Sequence, residues 1–128
     1  MKRIHFFTII AVLGLLILGS VQPASAGGQP DLKVIRVESV FSEGQWHMSY
    51  TVKNIGTAYA NPFWITLKNR ADTPMQSFET KALAPGASRT FLHRTGVCEF
   101  YRKILPDSTN AIHESNELNN TRVYENFC

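Results

Sequence analysis

From Asp31 onward, apolar and polar residues alternate with period two in short runs separated by turn residues, and nothing after Ala26 sustains a helical period. Trp46, Met48, Tyr50 and Val52 alternate with His47, Ser49, Thr51 and Lys53, which predicts a strand with one face in a core. Leu32 to Val40 is rich in β-branched residues, and its alternation slips near Ile35, so a bulge is expected there. Phe63, Ile65 and Leu67 alternate with Trp64, Thr66 and Lys68, with Pro62 at the entry, where a missing donor does least harm. A weaker strand falls around Met75 to Thr80. Ser88 to Arg94, Val97 to Leu105 and Thr121 to Phe127 complete a set of seven. Short strands at this spacing predict an all-β chain folded as a seven-stranded antiparallel β-sandwich.

The connections fit that reading. Asn54-Ile55-Gly56 closes the second strand. In Ala84-Pro85-Gly86-Ala87, proline presets φ at the second position and glycine accepts positive φ at the third, a type II turn. Gly27 to Pro30 reads as a loose leader. The connection from Pro106 to Asn120 exceeds the usual two to five residues of a hairpin loop, so it needs structure of its own. Ile112 and Leu118 are spaced to plug it onto the core, while its Asp, Asn and Glu side chains can bond local backbone.

The start of the chain changes the picture of the whole. Lys2 and Arg3 precede an apolar run from about Phe6 to Gly19, followed by Pro23 and then Ala24-Ser25-Ala26. A run of about 14 residues falls short of the roughly 20 that span a bilayer, and small residues at both ends of the tripeptide suit a signal peptidase. Residues 1–26 are expected to be a cleaved signal peptide and residues 27–128 one secreted or periplasmic domain. Without Lys2 and Arg3 the net charge falls from +3 to +1, which removes any case for nucleic acid. In an oxidising compartment the pair Cys98 and Cys128 favours a disulfide. If Leu105 pairs with Thr121 across an antiparallel hairpin, the same register sets Cys98 opposite Cys128.

Candidate chemistry is concentrated in the long loop. Asp107, Asn110, Glu114, Asn116, Glu117 and Asn119 offer hard oxygen donors of the kind calcium takes, although the spacing is not that of an EF-hand. The competing reading has the same side chains bonding their own loop. Asn119-Asn120-Thr121 also matches a glycosylation sequon. His47, His93 and His113 lie on separate segments without ligand spacing and are expected to face solvent. No Gly-x-Ser-x-Gly elbow is present, and a bridged Cys98 is no nucleophile, so catalysis is not expected. Phe63, Ile65 and Leu67 claim the core side of their strand. Trp64 is therefore left outward, with Tyr59 nearby in sequence, either as a candidate surface for a protein or carbohydrate partner or as a cover over the sheet edge, packed under the weak strand near Met75.

Three segments resemble one known family in the expected order: Asp31-Leu32 at the first strand, Tyr50 to Ala58 at a strand and turn, and Leu83-Ala84-Pro85-Gly86-Ala87-Ser88 at a proline–glycine turn. A fourth is more specific, with Asn110, Ile112, Glu114, Asn116, Glu117, Asn119 and Asn120 all on the pattern. The chain resembles the CARDB family, the cell-adhesion-related domain found in bacteria, over nearly all of residues 27–128. The resemblance implies an immunoglobulin-like sandwich and a non-catalytic binding or adhesion module. Cys98 and Cys128 depart from the pattern, as do Arg102 and Lys103, which leave the inward face of their strand open. Two other roles fit the same features: a small secreted inhibitor of a hydrolase, or a structural subunit of a surface assembly.

Overall fold

The computed structural model describes residues 27–98 and 100–126, and every regular element among them is a strand. These are β1 (Leu32–Ser42), β2 (Gln45–Asn54), β3 (Phe63–Lys68), β4 (Pro74–Thr80), β5 (Ser88–Arg94), β6 (Phe100–Pro106) and β7 (Arg122–Asn126). They form two antiparallel sheets, one of three strands in the order β1-β2-β5 and one of four in the order β4-β3-β6-β7.

Alternation places the core between the sheets. Met48, Tyr50 and Val52 of β2 pack with Leu32 and Val34 of β1, with Phe63, Ile65 and Leu67 of β3, and with Ile104 of β6, all essentially buried. Each such side chain contributes about 1.5–3 kcal/mol of burial, so these positions outweigh any local preference. Trp46 is only half-buried. It leans on Phe41 across the β1–β2 hairpin, ring centroids 5.1 Å apart. The expected bulge in β1 is present: the register shifts between Val34 and Arg36, and Ile35 is turned outward. The open question on β6 is settled by period two. Arg102 shares the inward face with Ile104, half-buried, and burial pushes its guanidinium below its usual pKa. Lys103 points out to Asp72 at 3.0 Å, which Lys68 also reaches at 3.1 Å.

Three expectations are corrected. Val97 and Cys98 are not strand; Gly96 at φ 75° turns the chain there, and β6 starts at Phe100. The leader is not loose. The Gln29 carbonyl accepts from Thr57 N at 2.9 Å and the Pro30 carbonyl from Ser115 N at 3.0 Å. That approach requires Gly56, where a Cβ would stand 2.6 Å from Asp31 N. The type II turn holds as expected, with Gly86 at φ 76° and Ala87 N donating to the Ala84 carbonyl at 3.0 Å. His93, expected to face solvent, is half-buried because it falls on the inward phase of β5 with Phe91.

The β6–β7 register pairs Ile104 with Arg122 and Phe100 with Asn126, the phase that a Leu105–Thr121 pairing predicts. Cys128 lies outside the described residues, and so does the expected signal segment, residues 1–26. Among the described residues, no helix is long and apolar enough to cross a membrane.

Candidate functional site in the loop from Asp107 to Asn120

The loop is built by its own carboxylates. Asp107, at φ 50°, turns the chain out of β6, and its two oxygens accept from Ala111 N at 3.0 Å and Ile112 N at 2.9 Å. This is an Asx-type staple, and it seats Ile112 in the core cluster. Glu114 is 4% exposed; one oxygen accepts from Leu32 N at 2.8 Å and the other from the Asn120 amide at 2.9 Å. Glu117 closes the next turn by accepting from Glu114 N at 2.9 Å. Asn116 accepts from Leu118 N at 3.0 Å and carries Leu118 out to 95% exposure. The expectation that Leu118 plugs the core is therefore wrong: the Asn116 turn spends that position on geometry, and Ile112 alone fills the gap.

Asp107, Glu114 and Glu117 bring one oxygen each within 4.8 Å of one another. Burial pushes the Glu114 carboxyl up to about 7, reinforced by the charges of Glu117 and Asp107 and opposed by the Leu32 amide. Burial also raises Asp107 above the ordinary carboxylate range, although the Ile112 and Ala111 amides pull the other way. The other sequence candidates have different tasks. Asn110 is an exposed turn residue at φ 52°, Asn116 makes the turn just described, and Asn119 donates to Asp31 at 2.8 Å. The side-chain oxygens of Asn119 and Asn120 are buried without a hydrogen-bond partner.

Two residues outside the loop complete the site, although the sequence points to them only as the start of the first strand and the close of the second. Asp31 accepts from Asn119 and, at 3.1 Å, from the Ser115 hydroxyl. The Asn54 side chain is fully buried and makes four bonds. Its oxygen accepts from Asp31 N at 3.1 Å and Gly56 N at 3.0 Å, and its amide donates to the carbonyls of Ala58 at 2.8 Å and Leu83 at 2.9 Å. The signal was in the alternation: Asn54 occupies the next inward position after Val52, where a polar side chain must be fully satisfied.

Comparison with known proteins fits this architecture. The CARDB family model matches residues 29–123. The chain belongs to the CARDB family. Two solved structures are similar to it. One is a domain of a Methanosarcina acetivorans protein named as a cell surface protein, with a TM-score of 0.64 and 20% identity over 77% of this chain and 93% of that one. The other is the CARDB domain of a Pyrococcus furiosus protein in complex with di-metal ions, with a TM-score of 0.60 and 20% identity over 75% of this chain and 90% of that one. No curated protein matches the chain in sequence. At that identity the likeness shows the fold.

The CARDB loop is thus a self-bonded structure first. Trp64 and Tyr59, the candidate binding surface, lie elsewhere. Trp64 stands on the outer face of β3, 41% exposed and paired with Glu79 of β4, and Tyr59 is 69% exposed in the β2–β3 connection. No ring contact joins them among the described residues.

Proposed function

We propose that this CARDB domain is an exported, non-catalytic binding or adhesion module with an immunoglobulin-like sandwich, recognising a protein or carbohydrate partner outside the cytoplasm. The observation that carries the reading is the outward Trp64, 41% exposed on β3, whose alternate residues Phe63, Ile65 and Leu67 are committed to the core. A large aromatic left in water beside polar Glu79 gains most by stacking against a partner. The carboxylates of the loop accept from backbone amides instead of facing a cleft. Probing arrays of glycans and of surface proteins with residues 27–128 tests the reading. Trp64→Ala should abolish the positive signals while far-UV circular dichroism stays native. Equal binding by the variant, or loss of its fold, removes Trp64 as the anchor.

The Cys98–Cys128 bridge belongs to the same proposal. Two cysteines in an exported domain of this size favour a bridge, and the described pairing of Phe100 with Asn126 has the phase that such a bridge would continue.

A second reading concerns the loop. Three carboxylate oxygens within 4.8 Å and the unpartnered oxygens of Asn119 and Asn120 are a hard-donor set that fits calcium in type. A structural neighbour is in complex with di-metal ions. Asp107, Glu114 and Glu117 would hold the ion, which would supply charge neutralisation for the crowded carboxylates. Thermal melts in excess calcium and in EDTA decide it: at 100 times its dissociation constant an ion adds about 2.7 kcal/mol, a rise of roughly 10–20 °C for a domain of this size. Superimposed curves leave the loop a structural plug.

A further inference from the structure

The outer face of the three-stranded sheet carries charge that the fold itself does not use. The register sets Lys33 of β1 directly opposite Lys53 of β2, with Ser88 of β5 on the other side of Lys53. Like charges in directly opposed cross-strand positions repel, and among the described residues neither ammonium has a carboxylate partner. In the next row Arg36 stands opposite Thr51 and Thr51 opposite Thr90, the two hydroxyls bonded at 2.8 Å. Arg36 reaches this face through the bulge. Its odd spacing from Lys33 would point the two side chains to opposite faces of a regular strand, and the register shift between Val34 and Arg36 returns it to the side of Lys33. The Arg36 guanidinium holds Glu38 at 2.8 Å and, being largely exposed, keeps further N–H donors free. Arg94 stands farther along β5, opposite His47. Among the described residues, four cations and one acid therefore share the face.

We propose that this face binds an acidic polysaccharide, a chain of carboxylated sugars, with one acid group between Lys33 and Lys53 and sugar hydroxyls along Ser88, Thr90 and Thr51. An anion set between the two ammoniums turns their repulsion into two attractions. Asp31 and Glu114, at the same end of the sheet, are buried and bonded inward, so they leave the lysine pair uncompensated. The rest of the face decides the class of partner. Serine and threonine hydroxyls both donate and accept, as sugar hydroxyls do. Apolar exposure near the cluster is confined to Ile35 and Leu92, too little for the apolar centre of a protein interface. Neighbouring strands stand about 4.8 Å apart and alternate residues of one strand about 7 Å apart, so Lys33, Lys53 and Arg36 form one compact cluster. The face lies on the opposite side of the sandwich from Trp64 and shares no residue with the acidic loop.

Titration of residues 27–128 with short oligogalacturonates at low ionic strength, followed by ¹H–¹⁵N NMR, tests the proposal; EDTA keeps calcium from bridging the acids. Saturable shifts are expected at Lys33, Arg36, Thr51, Lys53, Ser88 and Thr90. Affinity should fall as salt rises to about 0.15 M, where the screening length is roughly 8 Å. Lys53→Gln should weaken binding by about 2- to 5-fold, and Lys33→Glu should abolish it. Lys33→Glu also replaces the cross-strand repulsion with an attraction. Its melting temperature should therefore equal or exceed that of wild type, which separates lost binding from lost folding. Trp64→Ala should leave the titration unchanged, so failure here and failure of the Trp64 anchor are distinguishable. Equal affinity for polyglutamate of matched length, equal binding of a neutral galactan, or a titration insensitive to Lys33→Glu would each overturn the proposal.

Discussion

Glu114 shows how a single side chain couples the loop to solution conditions. Its carboxyl sits near 7 when folded and near 4.5 when unfolded, so between those values the folded state holds a proton that the unfolded chain has released. Stability contributed by Glu114 is therefore fully present below about pH 4.5 and is lost as pH rises to about 7. His93 acts in the opposite sense, since its folded pKa is lowered and acid costs stability there. The Glu114 contribution must accordingly be read as the difference between wild type and Glu114→Gln across chemical melts at several pH values. Glutamine mimics the protonated acid, and the Asn120 amide can turn its unpartnered oxygen towards it. The variant should match wild type at low pH and gain relative to it as pH rises to 7. Parallel curves would mean that the carboxyl titrates normally. Asn54 offers a sharper residue-scale test, because Asn54→Ala strands the Asp31 and Gly56 amides and the Ala58 carbonyl and takes one of two donors from the Leu83 carbonyl. A loss of about 2–4 kcal/mol is expected in urea unfolding, against less than about 1 kcal/mol for substitution of the exposed loop asparagine Asn61.

At the scale of elements, the strands were legible and the connections only partly so. Period two in β2 and β3 identified the buried set because each strand has one wet face, and the slip at Ile35 identified the bulge. The loop defeated the same reasoning: spacing alone made Ile112 and Leu118 equivalent, whereas the Asx bonds of Asp107 and Asn116 aim one inward and the other into water. The acidic residues were recognised as a group, but Asp31 and Asn54, which anchor them, lie far away in sequence, and only the fold brings them together. Ile112→Ala should cost about 2–5 kcal/mol as a cavity in the core, and Leu118→Ala should leave the melting temperature unchanged. Equal effects would return Leu118 to the plug. Cys98→Ser tests the proposed closure of the β6–β7 hairpin. Under non-reducing conditions it should lose about 3–4 kcal/mol, and dithiothreitol should bring wild type down to the variant.

Across the whole molecule the stabilising groups are unevenly distributed. At one end, the leader, the start of β1, the Asn54 turn and the acidic loop are joined by bonds of long sequence separation: Leu32 N to Glu114, Asn119 to Asp31, and Ser115 N to Pro30. No part of that end can open without unpairing a buried carboxylate or amide, so it should open only with the core. On the other side, β4 and β5 each have a single neighbouring strand, and the cavity between them removes packing from the very place where the sheets would otherwise close. Local opening needs few buried contacts, and the cavity side meets that condition. Native-state hydrogen exchange should therefore give the amides of Asp31, Leu32, Ile112 and Ser115 the same free energy of opening as the inner strand β2, equal to the global value from denaturant. Amides of β4 and β5 that bond to β3 and β2 should exchange from smaller openings. If the loop amides instead exchange faster than β2, the polar cluster is a separately opening unit, and its carboxylates are poised for a ligand rather than for holding the fold.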